Sequence, residues 1–190
     1  MDISVIAFLA LLLAVALLRI FELRVSRRHQ QQMMARGATK VNEPGFRWIV
    51  LFHAALLAGA ALEVVLLRRP FIPALSAVML CIFLAANGLR LWVVRTMGKH
   101  WNVQVMNSMS LGVVTSGPFR FVRHPNYAAV FLEVFSLPLV HTAWITTVLG
   151  SFAYAVTISQ RIALEENVLF ANPDYRTAMA GKPRFLPGLF

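Results

Sequence analysis

Three long apolar stretches dominate this chain, at residues 3–23, 46–67 and 71–97. A helix needs about 20 predominantly apolar residues to cross the hydrocarbon of a bilayer, and each stretch meets that length. Composition agrees. The chain is 58% hydrophobic and only 14% charged, against about 45–50% and about 25% for ordinary soluble domains. A further apolar region, 127–162, is parted by Pro138 and His141 into two shorter pieces, 127–137 and 144–162. The predicted fold is therefore all-α: a polytopic integral membrane protein with about five transmembrane helices. The first stretch has Asp2 before it, no basic leader and no small-residue cleavage site, so it reads as a retained span rather than a signal peptide. The expected organisation is a single membrane domain over 1–190. Three N-terminal spans reach to 97, and 98–190 forms a catalytic part with a helical hairpin and an interfacial tail.

The net charge of +10 does not point to nucleic acid, because the basic residues sit between apolar spans. Arg24, Arg27, Arg28, Arg36, Lys40 and Arg47 fill the first linker, Lys99, His100 and Arg120 the third, and Arg176, Lys182 and Arg184 the tail. The positive-inside rule places these three segments in the cytoplasm and the N-terminus outside. Arg68-Arg69-Pro70 is a tight turn on the opposite side. In the tail, Glu165, Glu166, Leu169, Tyr175 and Met179 suggest a mixed interfacial face interrupted by Pro173, and Pro183 and Pro187 exclude a long final helix. The lone Cys81 permits no internal disulfide. His53, His100 and His141 are too scattered for a metal site. There is no Gly-x-Gly-x-x-Gly, P-loop or nucleophile elbow.

Ionisable residues in apolar helices are candidates for function. Glu63 lies close to Arg68 and Arg69, where an ion pair is expected. Glu133 is expected to bond a neighbouring helix, and Arg90 either snorkels or faces inward. The densest polar cluster is Arg123-His124-Pro125-Asn126-Tyr127, preceded by the Gly117-Pro118 turn. Pro125 suits the first turn of a helix, and the N–H groups at such an end favour an anion. On the residues alone this is either a basic interfacial anchor or a binding site. Arg161 and Glu165 stand four apart on one helix face. They are either a surface ion pair or two parts of a site that holds a charged small molecule.

Gly117-Pro118-Phe119, the Arg123–Tyr127 cluster, and Arg161 with Glu165-Glu166 together resemble the isoprenylcysteine carboxyl methyltransferases and the related membrane phospholipid methyltransferases. The likeness runs from about Trp101 to the C-terminus. It implies S-adenosyl-L-methionine held in a cytoplasmic pocket built by the last helices and the C-terminal segment, without a Rossmann fold. By that resemblance Gln104, the strip Leu111-Gly112-Val113-Val114, Phe119, Arg123, His124, Pro125, Asn126, Tyr127 and Glu165 bind the cofactor. Arg161 holds the anion of the acceptor, and Arg161, Glu165 and Glu166 are the catalytic candidates. Phe119 stands where relatives often carry Tyr, and Leu111 where they often carry His. The implied acceptor is lipophilic: an isoprenylcysteine-like carboxylate, or the acidic hydroxyl of a long-chain polyketide pyrone or resorcinol, drawn from the lipid of a bacterial inner membrane. Competing readings are a phospholipid N-methyltransferase, a nicotinamide-dependent membrane reductase and a non-enzymatic scaffold or transporter subunit.

Overall fold

The computed structural model describes residues 2–43, 45–107 and 111–185; Pro187 lies outside them. Helix α1 covers Ile3–Met34, eleven residues beyond the apolar stretch. Hydropathy ends at Leu23, but the next residues are mostly good helix formers such as Arg, Gln and Met, with neither Gly nor Pro before Gly37. This polar extension buries Ser26, Gln30 and Met33, which are spaced to share one helix face. Gly37, at φ 89°, turns the chain into strand β1 (Thr39–Lys40). Helix α2 (Phe46–Leu66) matches its apolar stretch. Helix α3 (Pro73–Met97) starts two residues late, with Pro73 at its first position, where its missing N–H costs nothing.

A 3-10 turn at Gly98–His100 leads to strand β2 (Met106–Asn107). The strands pair antiparallel, Thr39 opposite Asn107 and Lys40 opposite Met106. A second 3-10 turn (Gly117–Arg120) precedes helix α4, Pro125–Leu139. Pro138 does not interrupt this helix. It falls in the last turn, where it forgoes a single bond to the carbonyl four residues back, and only Leu139 of the helix follows it. Helix α5, Trp144–Leu169, outruns its apolar stretch by two turns and carries Glu165 and Glu166 on that extension, with Arg161 one residue inside the end of the stretch. Pro173 starts helix α6 (Pro173–Met179) rather than breaking one, with the Asn172 side chain accepting from the Asp174 N–H at 2.9 Å. Glu165 and Glu166 therefore belong to α5, and the mixed face expected over 165–179 is split between two helices.

The segment Pro73–His100, which contains α3, together with α1 and α2, is long and apolar enough to cross a membrane. Their most apolar windows are only 17–22% buried, so most of their apolar surface faces outward, as lipid contact requires. The core between them collects Phe8, Leu12 and Val15 of α1, Ala60 and Val64 of α2, Phe83 of α3 and Leu137 of α4. Helix α4 packs on α3 and α5. At 15 residues it is about 22 Å long, short of the roughly 30 Å hydrocarbon core. The charges inside the bundle are paired. Arg90 faces inward and grips Glu22 through two bonds of 2.8 Å, while Arg19 bonds Glu133 at 2.7 Å. Glu63 pairs with Arg69 at 2.7 Å and also caps α5, accepting from the N–H groups of Ile145 (3.0 Å) and Thr146 (2.7 Å).

Candidate active site

The extension of α1 holds one wall of the site in place. The Val103 N–H donates to Ser26 Oγ at 3.0 Å, and His29 Nδ1 donates to the Trp101 carbonyl at 2.7 Å. Val105 N–H donates to Glu43 Oε2 at 3.2 Å. The opposite wall starts at Gly117, whose φ of 56° favours glycine. It sits so close to Thr96 of α3 that a Cβ there would collide with the Thr96 side chain. The C-terminal segment straps this wall. The N–H groups of Arg123 and His124 donate to the carbonyls of Pro183 and Arg184, both at 2.9 Å. Lys182 Nζ donates to the Phe119 carbonyl at 2.6 Å.

Between the walls lies a cleft with an empty volume of about 920 Å³, part of it open to solvent. Of the sequence-predicted residues, Gln104, Gly112, Val113, Val114, Phe119, Arg123 and Glu165 line it. Met33 from the α1 extension, Met97, His100, Asn102, Tyr175 and Met179 are among the other residues that line it. The lining is thus largely apolar, with one carboxylate, one guanidinium, one imidazole, one phenol and several amides. Tyr175 is buried, and burial holds its phenol above the usual range, so it stays protonated. Arg123 Nε and Asn126 Oδ1 are buried and find no hydrogen-bond partner among the described residues.

The other predicted residues stand behind the lining. Leu111 packs on the Met33, Ala38 and Met106 cluster. Pro125 is the buried first residue of α4. Tyr127 donates a short hydrogen bond to Glu165, and its ring lies 5.8 Å from the Arg161 guanidinium. Arg161 points into the protein, its side chain 11% exposed. It donates to the Val103 carbonyl and lies 3.4 Å from Glu43. The four-residue spacing of Arg161 and Glu165 is thus not used for a mutual hydrogen bond; each reaches a different element. Glu166 takes its own set of partners. His124 Nε2 donates to it at 3.1 Å, Arg184 at 2.6 and 3.2 Å, and Arg123 lies at 3.3 Å. These bonds hold the Arg184 guanidinium above its usual pKa.

The sequence profile of the isoprenylcysteine carboxyl methyltransferase family matches residues 77–171, half of the chain. The chain belongs to this family. It is accordingly a membrane methyltransferase for a lipophilic substrate. Its relatives include the uncharacterized protein YpbQ of Bacillus subtilis, 29% identical over 84% of this chain and 95% of that one. An uncharacterized protein of Haemophilus influenzae is 26% identical over 80% of this chain and 88% of its own length. The fold matches the solved structure of the eukaryotic intramembrane Ras methyltransferase ICMT, with a TM-score of 0.55 at 21% identity over 73% of this chain. The chain spans about half of that protein, 52%.

Two contributors to the site were not singled out in the sequence. Ser26, His29 and Met33 come from a segment that reads as a basic linker; the signal available was unbroken helix propensity across it. Glu43 reads as one acid among six basic residues, and nothing local announces a partner 118 positions away in α5.

Proposed function

We propose that this chain transfers a methyl group from S-adenosyl-L-methionine to an acidic oxygen, a carboxylate or acidic hydroxyl, of a lipophilic acceptor. The work takes place at the cytoplasmic face of a bacterial inner membrane. The observation that carries this reading is the single cleft that gathers Gln104, the Gly112–Val114 strip, Phe119, Arg123 and Glu165 from distant parts of the chain, in a member of this family.

The cleft fits the cofactor chemically. Small-molecule sites are mostly apolar with a few placed polar groups, and the cleft has that character. Glu165 offers a carboxylate to a cationic group, and the buried, unpartnered Nε of Arg123 offers a donor to a carboxylate. Phe119, Val113 and Val114 provide an apolar slot for a flat base. When bound, S-adenosylmethionine supplies a methyl carbon already activated for displacement, so what remains for the protein is alignment. Arg161 orients the acceptor oxygen beside the cleft. Its fixed planar fork suits this, and its charge need only position the anion. The Tyr127 hydroxyl holds the Glu165 carboxylate in one orientation. Glu166 acts through others, tying Arg123, His124 and the C-terminal strap into one wall.

In this reading α4 and α5 form a helical hairpin that enters the bilayer beside the three spans of a single membrane domain, and 98–190 is its catalytic part, backed by the α1 extension. The apolar tail of the acceptor remains in lipid while the water-soluble cofactor enters from the cytoplasm. Isothermal titration of the purified protein tests the cofactor assignment. S-adenosylmethionine is expected to bind saturably, more weakly in Glu165→Ala. Saturable binding of a nicotinamide dinucleotide in its place, or of neither, overturns the proposal.

A further inference from the structure

The polar extension of α1 has two faces with different neighbours. At 3.6 residues per turn, Ser26, His29 and Met33 share the side that holds the wall of the cleft. Arg24, Arg27 and Arg28 share the opposite side. All three arginines are exposed, and none makes a hydrogen bond or ion pair among the described residues. The two carboxylates nearest in sequence are engaged elsewhere. Glu22, on the inner side of α1, is bonded to Arg19 and Arg90, and Glu43 faces Arg161. Like charges three and four residues apart destabilise a helix, so this face is strained by its own charge until an anion answers it.

Depth and continuity make that anion part of a lipid. The apolar stretch of α1 ends at Leu23, and at 1.5 Å per residue the three arginines lie within about 8 Å of it. The headgroup layer beyond the hydrocarbon is about 5–8 Å thick on each side. The same face of the helix continues into the bilayer as an apolar stripe, with Leu17, Ile20 and Phe21 58%, 47% and 60% exposed. A phospholipid whose phosphate meets the guanidiniums lays its acyl chains along that stripe. A free anion has no use for the stripe, and an acidic soluble protein would have to enter the headgroup layer to reach the arginines. Guanidinium forks suit phosphate oxygens. In a zwitterionic headgroup the ammonium beside the phosphate opposes them, whereas an anionic headgroup such as that of phosphatidylglycerol carries no such cation.

We infer that the outer face of the α1 extension is a binding site for anionic phospholipid, and that lipid bound there steadies the extension and, through Ser26 and His29, the wall of the cleft. The consequence for S-adenosylmethionine rests on the reading of that cleft as the cofactor site. Phosphatidylglycerol and phosphatidylcholine with the same acyl chains are titrated onto the full chain in detergent and counted by native mass spectrometry. A basic residue beside an anionic surface contributes about fivefold, so wild type is expected to bind phosphatidylglycerol at least about tenfold more tightly. R24Q/R27Q/R28Q is expected to lose most of that preference, and R24K/R27K/R28K, which keeps the charge, to retain it within about threefold. In nanodiscs, adding phosphatidylglycerol to phosphatidylcholine should slow hydrogen exchange at the Val103 N–H, which bonds Ser26 Oγ. It should also tighten S-adenosylmethionine binding by about threefold or more, and the Gln variant should show neither change. The comparison of lipids on wild type carries the test if the Gln variant does not fold. Equal binding of the two lipids by wild type overturns the inference. So does a preference unmoved in the Gln variant, competition by glycerol phosphate as effective as by the whole lipid, or Val103 exchange indifferent to lipid. If exchange responds but S-adenosylmethionine binds in neither lipid, the inference stands and the cofactor assignment fails.

Discussion

Glu166 separates a positioning role from a chemical one. Its carboxylate is 10% exposed and meets three cationic or donor side chains, two of them, Arg123 and His124, well buried and the third, Arg184, 49% exposed. Hydrogen bonds to charged groups are worth about 1.5–3 kcal/mol each, whereas a half-exposed pair such as Arg184 contributes about 0–1 kcal/mol. Replacing Glu166 by Gln keeps the shape and removes the charge, so docking of the C-terminal strap should weaken by about 2–4 kcal/mol. That is at most about a thirtyfold to thousandfold shift toward the undocked state, since each 1.4 kcal/mol is tenfold. Cofactor affinity should fall by about tenfold or more, while turnover at saturating cofactor stays within about threefold. Hydrogen exchange reads the cause directly. The N–H groups of Arg123 and His124, which bond Pro183 and Arg184, should lose protection. If Glu166 served as a proton acceptor, turnover would drop by about 10²–10⁴ with affinity unchanged, and the positioning account would be refuted.

Arg161→Ala removes the acceptor's orienting group and leaves the Glu43 carboxylate buried without its cation. Turnover should fall by about a hundredfold or more, with S-adenosylmethionine affinity within a few-fold by titration. Arg161→Lys should not restore it, because an ammonium lacks the planar fork. Glu63→Ala uncaps α5 and strips Arg69 of its partner at the far end of the bundle, at a cost of about 2–3 kcal/mol. Thermal unfolding in detergent should report this, with cofactor affinity of the folded fraction unchanged. Gly117→Ala forces a side chain into a left-handed backbone against Thr96, costing about 1–2 kcal/mol for the conformation alone. The expected result is weakened cofactor binding at near-normal helix content by circular dichroism.

The helices were legible because hydropathy and helix propensity agree over most of their length, as in α2 and α3. They diverge at the ends of α1 and α5. There the chain leaves lipid and hydropathy collapses, yet nothing breaks the helix, and those polar turns build the site. Pro138 and Pro173 were read as interruptions because a proline's effect depends on its place in the helix, and sequence alone does not give that place. The Arg123–Tyr127 cluster and the Gly117 turn stood out because polar and left-handed-tolerant residues are conspicuous beside apolar spans. Partnerships were less legible. Arg161 and Glu165 are spaced as an intrahelical pair, but burial supplied Glu43 to one and Tyr127 to the other, and long-range pairing leaves no periodic trace. Glu63 is the middle case: its proximity to Arg69 foretold the ion pair, while its cap on α5 depended on the bundle closing.

The most direct measurement is incubation of the purified protein, in lipid, with methyl-labelled S-adenosylmethionine and a lipid extract of its host, followed by mass spectrometry. The account predicts a labelled methyl group on the oxygen of a lipophilic molecule with wild type and its loss with Arg161→Ala. Label on a phospholipid amine, or equal labelling by the two proteins, would contradict it.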